Sequence, residues 1–237
     1  MDAPTVLCEL LAEAFPEWQD LPGGCWVRQA MERNSDGWSS AIRSVPKSGG
    51  RALLLERLQR EHPPKRRSDA GADEALHAVF GECEAFAWAA KVAELPNPRF
   101  EFLVEGSPDV LCDGPVWVEA KTIRPSDDDR EAERAAFAKS AIGFRMADPI
   151  EASPGLFRKF EMAFSDGLRK FSRVSEGPKE PSFVLFFHVL MFDLEVNDKV
   201  FDRFSAWARE HASQTNVRIV LVFNFRWEAP WFDSASV

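Results

Sequence analysis

Residues Ser107 to Thr122 read SPDVLCDGPVWVEAKT. The second half is apolar apart from Glu119 and Lys121, and Asp109 stands ten residues before Glu119. A charge beside a core is expensive to bury unless it is paired. Alternation makes the run from Val116 a strand. Val116, Val118 and Ala120 point to one face; Trp117, Glu119 and Lys121 point to the other. Glu119 and Lys121 are therefore neighbours near the strand's end. Asp113-Gly114 is a tight-turn pair, so SPDVLC reads as the preceding strand. Pairing about that turn sets Asp109 opposite residue 118 or 119.

The flanks extend this pattern. RFEFLVEG (99–106) sets Phe100, Phe102 and Val104 against charged neighbours, which predicts a strand. The turns EGSP and CDGP are short enough for hairpins, so three strands form an antiparallel meander. Before them, DEALHAVFGECEAFAWAAKVAEL (73–95) reads as one long helix with Asp73 as its N-cap. Its apolar stripe is Leu76, Val79, Phe80, Cys83, Ala87 and Ala90, and Pro96 and Pro98 end it. After the meander, residues 124–153 read as a partly helical, acidic excursion. PGLFRKFEMAFSDGLRKFSRV (154–174) is a helix with Phe157, Phe160, Phe164, Leu168 and Phe171 on one face. SFVLFFHVLMF (182–192) is nearly continuous in apolar residues, as expected of a strand covered on both faces, with His188 a core histidine. A helix (198–213) and a strand (217–225) follow. The order helix, three strands, helix, strand, helix, strand is that of an α/β fold with helices around a mixed sheet.

Residues 1–61 read as short helices, VLCELLAEAF, CWVRQAMERN and RALLLERLQREH, joined by the turns LPGG and PKSGG. The polar run 62–73 reads as a linker. The organisation expected is thus a helical segment with a basic linker, 1–72, and an α/β domain, 73–237.

The net charge of -9 excludes indiscriminate nucleic-acid binding. Its distribution is uneven. Between Arg43 and Arg67 eight basic residues face two acids, Glu56 and Glu61, a local balance of +6. Lys65, Arg66 and Arg67 close that run and are candidate phosphate contacts, although a solvated linker has the same composition. Arg158, Lys159, Arg169, Lys170 and Arg173 form the basic side of helix 154–174 and suit a phosphate track as well as an ordinary solvated face. No run approaches eighteen apolar residues, so no membrane span is expected. The acidic N-terminus lacks a basic n-region, which predicts no secretory signal. Four scattered cysteines without a CxxC pair fit reduced core residues of a cytoplasmic protein.

Two close carboxylates repel unless a cation sits between them. A hard divalent ion suits that position, because it takes one or two carboxylates and keeps waters. An adjacent ammonium can hold the attacking water or offset charge growing on a phosphate. Asp109, Glu119 and Lys121 together fit metal-assisted phosphodiester hydrolysis.

Pro108-Asp109, nine intervening residues and Glu119-Ala120-Lys121 resemble the PD-(D/E)xK signature of the restriction-endonuclease-like nucleases. The element order from Asp73 to His188 is similar to that family's core. The resemblance implies a Mg²⁺- or Mn²⁺-dependent nuclease acting on nucleic acid, DNA first. It implies that Asp109, Glu119 and the Ala120 carbonyl bind the metal and that Lys121 serves the nucleophile. An acid from the first helix would join them. Glu82 and Glu84 are both candidates, and the GxxE spacing of Gly81 and Glu84 favours Glu84. A homodimer is compatible with cutting two strands. The alternatives are a catalytically inactive nucleic-acid- or protein-binding module on the same fold, in a defence, repair or mobile-element system, and a protein whose ExK is accidental.

Overall fold

The computed structural model describes residues 3–23, 25–47, 49–62, 70–101, 106–114, 116–124, 153–174, 182–190, 198–223 and 231–232. The chain is a mixed α/β protein of two compact units, Met1–Val116 and Trp117–Val237. Among the described residues no helix is long and apolar enough to cross a membrane.

The first unit holds α1 (Val6–Ala14), α2 (Trp26–Glu32), α3 (Ser39–Ser44), α4 (Gly50–Glu61), α5 (Ala70–Lys91), β1 (Arg99–Phe100) and β2 (Val110–Cys112). α1, α2 and α4 stand where the apolar spacing places them. α3 is an element that the spacing does not announce. It is six residues long, three of them Ser, and it follows Trp38 in the left-handed region at φ 61°. Tertiary packing carries it instead of propensity. The buried Trp38 ring stacks on Phe80 at 4.9 Å and lies 5.4 Å from His77.

α5 departs from expectation at its start. It begins at Ala70, so Asp73 sits inside the helix and is not its N-cap. Nothing in Ala70-Gly71-Ala72 breaks a helix outright, and Gly71 weakens it by only about 1 kcal/mol. At its other end Glu94 turns left-handed, and the Leu95 N–H donates to the Ala89 carbonyl at 2.8 Å. The single apolar stripe also proves too narrow a description. Residues Gly81 to Ala89 are buried around the whole girth, Glu82 and Glu84 included. β1 and β2 pair antiparallel, with Arg99 opposite Leu111 and Phe100 opposite Val110. The antiparallel pairing agrees with the expected meander; residues 102–105, which hold the rest of the expected strand 99–106 and the start of the EGSP turn, lie outside the described residues.

The second unit is built on β3 (Val116–Ile123), α6 (Pro154–Val174), β4 (Ser182–Val189), α7 (Asp198–Thr215), β5 (Arg218–Phe223) and β6 (Trp231–Phe232), with strand order β3-β4-β5-β6. β4 and β5 are parallel, and β6 returns antiparallel to β5. The Leu190 N–H donates to the Ile123 carbonyl at 2.8 Å, which sets the C-terminal ends of β3 and β4 side by side. β4 is buried from Val184 to Val189, as its unbroken apolar run requires, and His188 lies in the core. On α6 the Phe160, Phe164 and Phe171 side chains are buried, and Phe157 and Leu168 pack beside them. Gly167 lets this helix come close to β4: a Cβ there would meet Leu185 Cδ2 at 2.3 Å. The excursion expected over 124–153 lies, from residue 125 to 152, outside the described residues.

Candidate functional site

Glu119 and Lys121 share a face of β3, as the period of two demands. Lys121 Nζ lies 2.7 Å from Glu119 Oε1. Glu119 is 1% exposed, so this is a buried carboxylate and not an edge-strand ornament. α6 completes the surroundings. Lys170 Nζ reaches the same Glu119 oxygen at 2.7 Å, and Lys121 also hydrogen-bonds the Asp166 carboxylate. Asp166 in turn pairs with Arg169 one turn further on. Two acids and two ammonium groups thus form one network within the second unit.

The electrostatics are specific. Burial alone would lower the Lys121 pKa. The Glu119 charge and the hydrogen bonds to Asp166 and Glu119 outweigh burial and raise it above the ordinary lysine value. Lys121 is therefore a firmly protonated donor at neutral pH, suited to stabilising negative charge and unsuited to accepting a proton. Burial would raise the Asp166 pKa, but hydrogen bonds from Lys121 and Arg169 hold it below the ordinary carboxylate range.

The first unit holds the other acids. Asp109 is buried at the start of β2, and its carbonyl accepts from the Glu101 N–H at 2.9 Å. Glu82 and Glu84 lie two positions apart on α5, about 200° around the helix, so they serve different sides. Glu82 takes two hydrogen bonds from Arg57 of α4, at 2.9 and 3.3 Å. Burial would lower the Arg57 pKa, but Glu82, Glu61 and Asp109 together raise it. Glu82 and Asp109 therefore share the field of one guanidinium. Glu84 lies apart from that group. It is 2% exposed, and burial lifts its pKa to about 8 against a weaker opposing pull from Lys91. Of the two candidate acids, Glu82 is the one whose partner Arg57 also feels the charge of Asp109.

The basic residues also divide. Lys65, Arg66 and Arg67 lie outside the described residues. Arg158 and Arg169 are exposed, as a phosphate track needs. Lys159 and Lys170 turn inward, toward the Arg124 carbonyl at 3.3 Å and toward Glu119. Asp166 is a site residue that the sequence reading leaves out. The signal was present: Lys159, Ala163, Asp166 and Lys170 follow i, i+4, i+7, i+11 and form one stripe beside the phenylalanine face. Among the described residues no group of three or more His, Cys, Asp and Glu side chains gathers as a metal centre. Comparison with protein-family models, with curated proteins and with solved structures finds no match to this chain.

Proposed function

We propose that the protein is a metal-dependent nuclease of restriction-endonuclease-like design that hydrolyses phosphodiester bonds, with DNA as its substrate. One observation carries this reading: a buried strand carboxylate, Glu119, with Lys121 two residues on, joined on one face and held from α6 by Asp166 and Lys170. An ordinary exposed pair contributes about 0–1 kcal/mol and needs no such enclosure.

The donors fit a hard cation such as Mg²⁺ or Mn²⁺. Glu119 already draws two ammonium groups to one oxygen, the mark of a strongly cation-seeking position. In the proposal Glu119 and the Ala120 carbonyl hold the ion, and Asp109 is the second acid that the sequence resemblance implies for it. When bound, the ion lowers the pKa of a water and polarises the phosphorus–oxygen bond. Lys121 donates hydrogen bonds to the attacking water and to a non-bridging phosphate oxygen, whose charge grows toward the transition state. Asp166 keeps the Lys121 ammonium in place. The exposed Arg158 and Arg169 meet phosphates along the substrate.

The test is direct. Plasmid and linear DNA are incubated with the protein and Mg²⁺ or Mn²⁺. Cleavage is expected, with a loss of roughly a hundredfold or more in Lys121→Ala. Cutting that persists unchanged in that variant overturns the proposal. The net charge of -9 favours the second reading, a non-catalytic binding module on this architecture. Calorimetry that finds no divalent-ion binding to the chain would select it.

A further inference from the structure

We infer that a cleft in the first unit, between α1, α3 and the start of α4, binds a nucleoside monophosphate whose phosphate is held by Arg43 and Lys47. Its lining belongs to the first unit alone, so the cleft stands whether or not the nuclease reading does.

The basic run that begins at Arg43 supplies the reason. Arg57 is engaged by Glu82 and Glu61, and Arg60 lies 3.6 Å from Glu61. Arg51 gives its Nε and Nη2 donors to Glu13 Oε2, at 2.9 and 2.6 Å. Those charges are answered within the fold. Arg43 and Lys47 differ. Both are exposed, and among the described residues neither side chain makes a hydrogen bond or an ion pair. Both line one cleft of about 440 Å³, together with Arg51 and Glu9. The floor of the cleft is apolar, made by the buried Ile42, Val45 and Leu54. An apolar floor with a few convergent polar groups is the form of a small-molecule site, and such sites occupy about 300–1,000 Å³.

Charge selects the ligand. A phosphomonoester carries about -1.5 to -2 at pH 7, which two unanswered cations match better than they match a carboxylate. The Arg43 guanidinium can offer a fork of N–H donors to two phosphate oxygens, with Lys47 as a point charge beside it. The start of α4 has the same sign. Its first turn holds Arg51 and no acid, and no side chain caps its N-terminus, so a nearby anion is favoured. Glu9, on α1, is the acid in the lining. When ionised it only accepts hydrogen bonds, which suits a hydroxyl or amino group and repels a second phosphate. A base, a ribose and one phosphate answer all three parts: a flat face for the floor, donors for Glu9 and a dianion for Arg43 and Lys47.

The experiment titrates adenosine 5'-monophosphate into the full chain by calorimetry, for wild type and for the double variant Arg43→Ala, Lys47→Ala. Both positions are exposed, so the double variant should melt like wild type. Adenosine, inorganic phosphate and a 5'-phosphorylated trinucleotide are titrated alongside. Wild type is expected to bind the mononucleotide saturably and at least about tenfold more tightly than adenosine, because charge-assisted hydrogen bonds go with the phosphate. The double variant should lose roughly tenfold or more toward the mononucleotide and keep its affinity for adenosine, which a misfolded cleft would not do. Absence of saturable mononucleotide binding to wild type overturns the inference, and so does equal affinity in the double variant. Inorganic phosphate that binds as tightly as the mononucleotide removes the base from the site. A trinucleotide that binds more tightly assigns the cleft to a strand end. Either of those results also overturns it.

Discussion

Glu84 shows how strongly one residue can register its surroundings. Its carboxyl is buried on the side of α5 away from Arg57, and its pKa rises from 4.5 to about 8. The folded protein therefore binds a proton that the unfolded chain has already released between those two values. Stability falls as pH climbs through that window and levels off above it. The loss by pH 8 is on the order of 4 kcal/mol. Glu84→Gln removes the titration. Thermal melts from pH 5 to pH 8 should show the variant gaining on wild type as pH rises, and parallel curves would refute the assignment. Lys121 is the contrasting case. Its paired ammonium stays charged across the same range, so any loss of cleavage on acidification within it belongs to another group.

Between elements, two contacts decide how the helices sit. α4 is tied to α5 by Arg57, which bonds Glu82 and also pairs with Glu61 on its own helix. Removing one member of a buried pair leaves the other charge without its counter-ion. Arg57→Met should cost about 3–5 kcal/mol, whereas Arg57→Met with Glu82→Leu should recover most of it. Denaturant titration of the three proteins checks this, and additive losses would show that the pair is not coupled. In the second unit, Gly167 sets the distance of α6 from β4. Gly167→Val drives a stiff side chain against Leu185, and a loss of about 1–3 kcal/mol is expected. Because α6 carries Asp166 and Lys170, the nuclease proposal expects the same substitution to weaken Mn²⁺-dependent cleavage out of proportion to the population unfolded. Activity that tracks the folded fraction alone would argue that the site tolerates a shift of the helix.

At the scale of the molecule, charge governs the encounter with a polyanion. A chain of net charge -9 is repelled by DNA except where cations are concentrated. If Lys65, Arg66 and Arg67 contact phosphates, replacing all three by Ala flattens the log–log salt dependence of DNA affinity by about 3. An unchanged slope removes that run from the interface. The order of elements from α5 to β5 was legible in the residues, because alternation and the 3.6-residue period impose themselves wherever one face is apolar and the other polar, whereas the two-residue β6 was not. The shared face of Glu119 and Lys121 was legible for the same reason, since a period of two leaves no choice. α3 was not, because a six-residue helix rich in serine is held by Trp38 and Phe80 and not by its own propensity. Nor was the separation of Glu82 from Glu84: in a helix buried all round, no polar side marks which acid meets a partner. The pairing of Asp166 and Lys170 with the strand also waited on the tertiary structure. Sequence periodicity says which residues share a stripe of α6, while only the seating of that helix on the sheet, close to β4 at Gly167, says which stripe β3 receives.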